Sequence, residues 1–230
     1  HERRNYINIK DLKNLIRNKV IFIYGCGPSL PNQLKNLKNS LLPLGNFTHI
    51  SADGATTALL EYNIIPNIII TDLDGQISDL IDANKKGALI IIHAHGDNIE
   101  AIHQYFSLFP GKMMGTTQNK PLPFLKNYGG FTDGDRCIYL AEEMGASLIV
   151  LFGFDFGNII GKYSKPHLNH DDFADEIKLQ KLHWAQILIT ELSINSKTTI
   201  IRLNGKKLKL GKVKNYKFEE LLKYLMKPLK

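Results

Sequence analysis

Asp72 and Asp74 stand two residues apart in Thr71-Asp72-Leu73-Asp74-Gly75, at the end of an apolar run. In an extended backbone, residues i and i+2 point to one side. Both carboxylates then face one point, while Leu73 turns into the core. Two unpaired carboxylates that close repel and raise one pKa. A divalent cation removes the conflict, and Mg²⁺ prefers a few carboxylates together with waters and substrate phosphates. The plainer alternative is an Asp-Gly turn with Asp72 as a helix N-cap. The pattern alone is common, so its weight comes from its neighbours.

Those neighbours carry the same kind of chemistry. Asp53-Gly54 follows another apolar run and offers a further carboxylate for metal or substrate, or simply a turn. In His93-Ala94-His95-Gly96-Asp97-Asn98, the two histidines share a face if the strand continues. Asp97 is a candidate Mg²⁺ ligand or helix cap, with His93, His95 and Asn98 toward phosphate or substrate. Zinc is disfavoured, because three or four ligands are required and no cysteine is close in sequence. Gly25-Cys26-Gly27-Pro28-Ser29 is a strand-to-helix turn whose Gly25, Gly27 and Ser29 would meet a phosphate through backbone N–H groups. It matches neither the P-loop nor a full GxGxxG, and a tight turn with Ser29 as N-cap is the alternative. The segment from Gly129 to Arg136 offers Thr132 and Asp133 for substrate hydrogen bonds. Its Arg136 would meet a phosphate or pair with Asp135. Asp155 binds substrate or caps a turn. Lys162, Lys165, His167 and His170 lie in a loop where cations would meet a triphosphate or stay solvated.

The elements that must position these residues are legible as periodicity. Apolar, β-branched runs occur at Val20–Tyr24, Thr48–Ala52, Ile68–Thr71, Leu89–His93, Leu148–Phe152 and Thr198–Leu203, with a weaker one at Lys112–Met114. Such runs suit parallel strands buried on both faces. A helical pattern at Asp11–Arg17 precedes the first run, and others lie between the runs, at Ala55–Tyr62, Ile77–Lys86, Ile99–Phe109, Asp135–Met144 and Phe173–Leu192. This alternation predicts an α/β, Rossmann-like, doubly wound and mostly parallel sheet with helices on both faces. Loops at the carboxyl ends of parallel strands form the ligand crevice of such folds. The Gly, Asp and His clusters collect at that edge.

Composition bounds the rest. The chain has 230 residues, 43% of them hydrophobic, enough for one full core. A single catalytic domain over 1–203 with a basic segment over 204–230 packed on it is expected. Residues 204–230 hold nine Lys and two Glu, while 1–203 are neutral in sum. The net charge of +7 is thus terminal, which argues against a nucleic-acid surface across the fold. Two cysteines, Cys26 and Cys137, fit a reducing cytoplasm. No apolar run approaches the roughly 18 residues that span a membrane, and no apolar signal core follows the first residues.

Taken together, Gly25–Ser29, Asp53-Gly54-Ala55, Thr71–Gly75, His93–Asn98, Gly130–Arg136 and Gly153-Phe154-Asp155 resemble the archaeal 6-hydroxymethyl-7,8-dihydropterin pyrophosphokinase (MptE-like) family. The order and spacing carry the resemblance, over roughly 20–160. That family is distantly similar to thiamine pyrophosphokinases, whose strand-end aspartates hold Mg²⁺. The resemblance implies diphosphate transfer from ATP to the hydroxymethyl group of a reduced pterin, with release of AMP, in pterin or folate-type biosynthesis. It implies Mg²⁺ on Asp72, Asp74 and Asp97, with Asp53 as acceptor of the hydroxyl proton. The basic segment has no family motif, and a homodimer is left open. Two rivals remain. One is a sialyltransferase-like glycosyltransferase, since some of those also open with Gly-x-Gly-Pro-Ser and use a CMP-sugar. The other is a non-catalytic nucleotide- or RNA-binding module using the lysine-rich end.

Overall fold

The computed structural model describes residues 6–203 and 208–226. Residues 1–5, 204–207 and 227–230, and with them part of the basic segment, lie outside the described residues.

Nine strands form one sheet, in the order β11-β10-β7-β1-β2-β3-β4-β5-β6. They are β1 (Val20–Tyr24), β2 (Thr48–Ala52), β3 (Ile68–Thr71), β4 (Leu89–Ala94), β5 (Met113–Thr117), β6 (Leu125–Lys126), β7 (Leu148–Phe152), β10 (Thr199–Leu203) and β11 (Lys214–Tyr216). Every neighbouring pair in this sheet is parallel. A separate antiparallel pair, β8 (Ile159–Ile160) with β9 (Asp172–Phe173), follows β7. The chain winds outward from β1 to β6, then returns to the far side of β1 as β7. This reversal opens the crevice expected at a switch point.

Alternation along the strands divides the core into layers. Ile21 and Ile23 of β1 face a layer with Leu12, Ile16, Ile138 and Ile189. These come from α1 (Ile9–Ile16), α6 (Asp133–Glu143) and α7 (Glu176–Asn195). Phe22 and Tyr24 face the opposite side, with Leu34, Leu59 and Leu221. That side is covered by α2 (Leu30–Asn39), α3 (Ala55–Glu61) and α8 (Phe218–Leu225), and further along by α4 (Ile77–Lys85) and α5 (Ile99–Tyr105). The central strands β1, β3, β4 and β7 are mostly aliphatic because both faces are covered. Part of the basic segment is thus woven into the sheet: β11 pairs with β10, and Leu221 of α8 is fully buried.

Several helix expectations shift: α1 starts at Ile9 rather than Asp11, and α6 at Asp133 rather than Asp135. The pattern over Ile99–Phe109 breaks at Tyr105 into a 3₁₀ turn, Phe106–Leu108. The expected start at Phe173 moves to Glu176, because Phe173 pairs with Ile159 in β9. Asp175 then caps α7 by accepting the Lys178 N–H at 2.6 Å.

Candidate active site

A cleft of about 460 Å³ opens along the carboxyl ends of the strands. Its floor is acidic. Asp53 follows β2 with a left-handed backbone (φ 37°) and a buried side chain. Thr71, the last residue of β3, donates its hydroxyl to Asp53 Oδ1 and accepts the Leu73 N–H at 2.8 Å. Gly75 is required here, since a Cβ at that position would stand 2.4 Å from Asp53 Oδ2.

Asp72 and Asp74 do converge, but not through a continued strand. Strand β3 ends at Thr71, and Leu73 takes the left-handed conformation (φ 70°). Its side chain is buried with Ile69, Leu80 and Ile92. The N-cap of α4 is Gln76, so Asp72 is not spent as a cap. Asp133, the first residue of α6, completes the floor. Single ligand atoms of Asp53, Asp72 and Asp133 lie within 4.8 Å of one another. Asp72 Oδ1 is buried with no hydrogen-bond partner among the described residues.

The electrostatics follow from this crowding. Burial, then the charge of Asp74, pushes Asp53 up to about 8. Burial, then Asp74, raises Asp72 as well. Asp133 is pushed well above the usual carboxylate range by burial and then by Asp72, Asp53 and Asp74. Asp74 is the exception. Burial acts to raise it, but its ion pair with Lys165 prevails and holds it low. A partly buried group of carboxylates with an orphaned oxygen fits a hard divalent cation with oxygen ligands.

A second wall comes from β4 and β5. His95 Nε2 lies 3.4 Å from Asp72 Oδ2, and its ring stacks on His93 with centroids 6.0 Å apart. His93 Nδ1 is 3.1 Å from Thr116 Oγ1. Burial, then the charges of Arg136 and His95, lower His93 to about 3, so its ring is neutral near pH 7.

The sequence model of the 6-hydroxymethylpterin diphosphokinase MptE-like family matches residues 2–161. The chain belongs to this family. A 6-hydroxymethyl-7,8-dihydropterin pyrophosphokinase of Pyrococcus furiosus is 46% identical over 206 residues, covering 88% of this chain and 84% of its own. One from Methanocaldococcus jannaschii is 43% identical over 202 residues, covering 83% and 81%. Among solved structures, the MAf glycosyltransferase of Magnetospirillum magneticum AMB-1 superposes with a TM-score of 0.60 at 14% identity. The superposition covers 87% of this chain but 34% of that one, and it shows the shared fold alone. A thiamine pyrophosphokinase of Bacillus subtilis reaches a TM-score of only 0.38 at 15% identity, over 79% of this chain and 59% of that one.

In this member of the MptE-like family, the other expected site residues fall into three groups. Gly25, Gly27, Arg136, Thr132 and Asp155 line the cleft together with the acidic floor, but the N–H groups of Gly25 and Gly27 do not face a phosphate: they donate to the carbonyls of Phe152 (2.9 Å) and Gly153 (2.8 Å). Asp97 also lines it, with an exposed side chain, but does not join the group formed by Asp53, Asp72 and Asp133. Ser29 and Asn98 are turned to structural work. The Ser29 N–H donates to Asp155 Oδ2 at 2.9 Å, so a carboxylate of the chain already sits at the start of α2. Asn98 Nδ2 donates to the carbonyls of His93 (2.7 Å) and Asp72 (2.9 Å), tying two strand-end loops together. Thr132 is likewise engaged, because its hydroxyl and N–H both donate to Asp135 Oδ1.

Two contributors escaped sequence reasoning, and a third was expected in another role: Asp133, expected toward substrate, stands with Asp53 and Asp72 in the acidic group. Its N1 position on α6 aims it at the floor, and no local pattern shows that. Lys178 and Lys181 line the cleft from α7. Their helical spacing reads as a solvated face until the helix is seen to pass the site.

Proposed function

We propose that the protein transfers the β,γ-diphosphate of ATP to the hydroxymethyl group of 6-hydroxymethyl-7,8-dihydropterin, releasing AMP. The observation that carries this is the group formed by buried Asp53 and partly buried Asp72 and Asp133, with the orphaned Asp72 oxygen, in a cleft that also presents Lys165, Lys178 and Lys181. The names of the relatives support the same reaction.

Asp53, Asp72 and Asp133 would hold Mg²⁺, which supplies charge neutralisation on phosphate oxygens when bound. Asp97 belongs to the rim in this reading, and Asp74 acts through Lys165. That ion pair keeps a cation over the floor, where it meets the negative charge of the phosphate chain. Lys178 and Lys181 add positive charge from α7. Attack on the β-phosphorus breaks its bond to the oxygen shared with the α-phosphate, which leaves with AMP. A loose transition state asks for alignment and charge balance more than for a strong base. Asp53 is therefore better used as a ligand than as a proton acceptor, and the hydroxyl proton leaves to solvent.

The test is incubation with ATP, Mg²⁺ and the reduced hydroxymethylpterin, followed by nucleotide analysis. AMP and a diphosphorylated pterin are expected, with activity abolished by EDTA. ADP as product, or turnover of a CMP-sugar that survives EDTA, overturns the proposal.

A further inference from the structure

In the diphosphate-transfer reading, the β4–β5 wall of the cleft is given no phosphate to hold. His93 is 1% exposed, lines the cleft and carries Nε2 as a buried nitrogen with no hydrogen-bond partner among the described residues. Its other nitrogen is taken by Thr116. Native interiors rarely leave such an atom unpaired, so a ligand atom is the natural partner. The ring is neutral, held down by burial and then by Arg136 and His95. It therefore acts as a hydrogen-bonding group rather than as an anion receptor.

Position within the sheet decides which ligand it meets. Strands β2 and β3 carry the acidic floor, with β4 and β5 on one side and β1 and β7 on the other. The cleft lysines all belong to the chain that follows β7, and they suit the phosphates of the nucleotide. The β4–β5 side offers His93, Gln118 and, next to Arg136, the half-exposed ring of Phe131. Arg136 itself is committed to the Phe131 carbonyl at 3.0 Å. An uncharged, flat heterocycle with a polar edge matches a neutral imidazole, an amide and an aromatic face.

We propose that His93 selects the acceptor: its Nε2 hydrogen-bonds the heteroatom edge of the pterin, whose ring lies against Phe131 with Gln118 beside it. This rests on the diphosphate-transfer reading and adds the residue that recognises the acceptor. A site built around a buried polar atom rejects analogues that leave the atom unpaired.

The test uses His93→Asn, whose amide replaces Nδ1 opposite Thr116 but does not reach the position of Nε2. His93→Gln does reach it. Pterin binding is followed by fluorescence titration without ATP, and KM is measured for both substrates. The Asn variant is expected to weaken pterin binding and raise its KM roughly ten- to hundredfold. KM for ATP should stay within about twofold, and the Gln variant should recover most of the loss. Phe131→Ala, at an exposed position where folding is not at stake, should raise the pterin KM alone. Unchanged pterin affinity in the Asn and Phe131 variants, or a rise in the ATP KM instead, overturns the assignment and leaves the enzyme reading standing. A wild-type protein that neither binds nor turns over the pterin removes both.

Discussion

Asp53→Asn separates stability from activity in one substitution. Asp53 is a buried carboxyl raised from its ordinary 3.8 to about 8, by burial first and by Asp74 second. Between those values the folded chain keeps a proton that the unfolded chain releases. The contribution of Asp53 to metal-free stability therefore falls as pH rises through this window and is lost above about 8. Buried His93 acts in the opposite sense. Its folded value near 3 lies below the ordinary 6.5, so it removes stability as pH drops below 6.5. The clean interval is pH 6.5 to 8. Holding one extra proton across it corresponds to about 2 kcal/mol, or a fall in Tm of roughly 4–8 °C for a domain of this size. An asparagine is shaped like the protonated acid. It accepts from Thr71, donates to Asp74 and tolerates the left-handed φ. In EDTA, the variant should melt higher than wild type at pH 8, with a shallower pH slope; Asp133 keeps the residual slope. Added Mg²⁺ should stabilise wild type far more than the variant, and turnover should collapse. Differential scanning fluorimetry at two pH values, with and without Mg²⁺, reads all of this. A variant that melts lower than wild type at pH 8 in EDTA, or keeps the full slope, refutes the crowding argument.

Three further outcomes follow from the same geometry. Asp72→Asn and Asp133→Asn should each cut kcat by about a hundredfold or more, whereas Asp97→Asn on the rim should change it by less than about threefold; equal losses would return Asp97 to the metal group. Lys165→Met removes the cation from Asp74 and should raise the KM for ATP by roughly tenfold, with little change in pterin binding by fluorescence. Gly54→Ala places a Cβ 2.0 Å from the Tyr163 carbonyl and should push the 3₁₀ turn Lys162–Ser164 outward at about 1–3 kcal/mol. Limited proteolysis between residues 156 and 175 should then quicken.

The sheet was legible because its strands are buried on both faces. That burial writes most central strands as apolar, β-branched runs, and Val20–Tyr24, Thr48–Ala52, Ile68–Thr71 and Leu148–Phe152 are strands with those same bounds. The strand at Met113–Thr117 was weaker in sequence because Gly115, Thr116 and Thr117 replace aliphatic residues where it borders the cleft. The site was legible in kind and less so in detail. Asp53 and Asp72 announce themselves beside glycine and at strand ends. Asp133 does not, because a carboxylate in the first turn of a helix is ordinary capping chemistry. Ser29 misled for a related reason. A glycine-rich turn before a helix looks like a phosphate cradle, yet here the occupant is Asp155, 126 residues away in sequence. The lysine-rich end looked separable by charge, but Tyr216 and Leu221 anchor it to the core, so its removal would strip an edge strand.

Leu73 has a consequence beyond its own turn. One aliphatic side chain is seated in the layer beneath α4, and the residues on either side of it are two of the acids at the site. The carboxylates therefore cannot be repositioned one at a time. Any change that lets Leu80 or Ile92 settle differently moves both through a single pivot. Stabilising redesign of that layer would retune catalysis even though no redesigned residue touches a ligand.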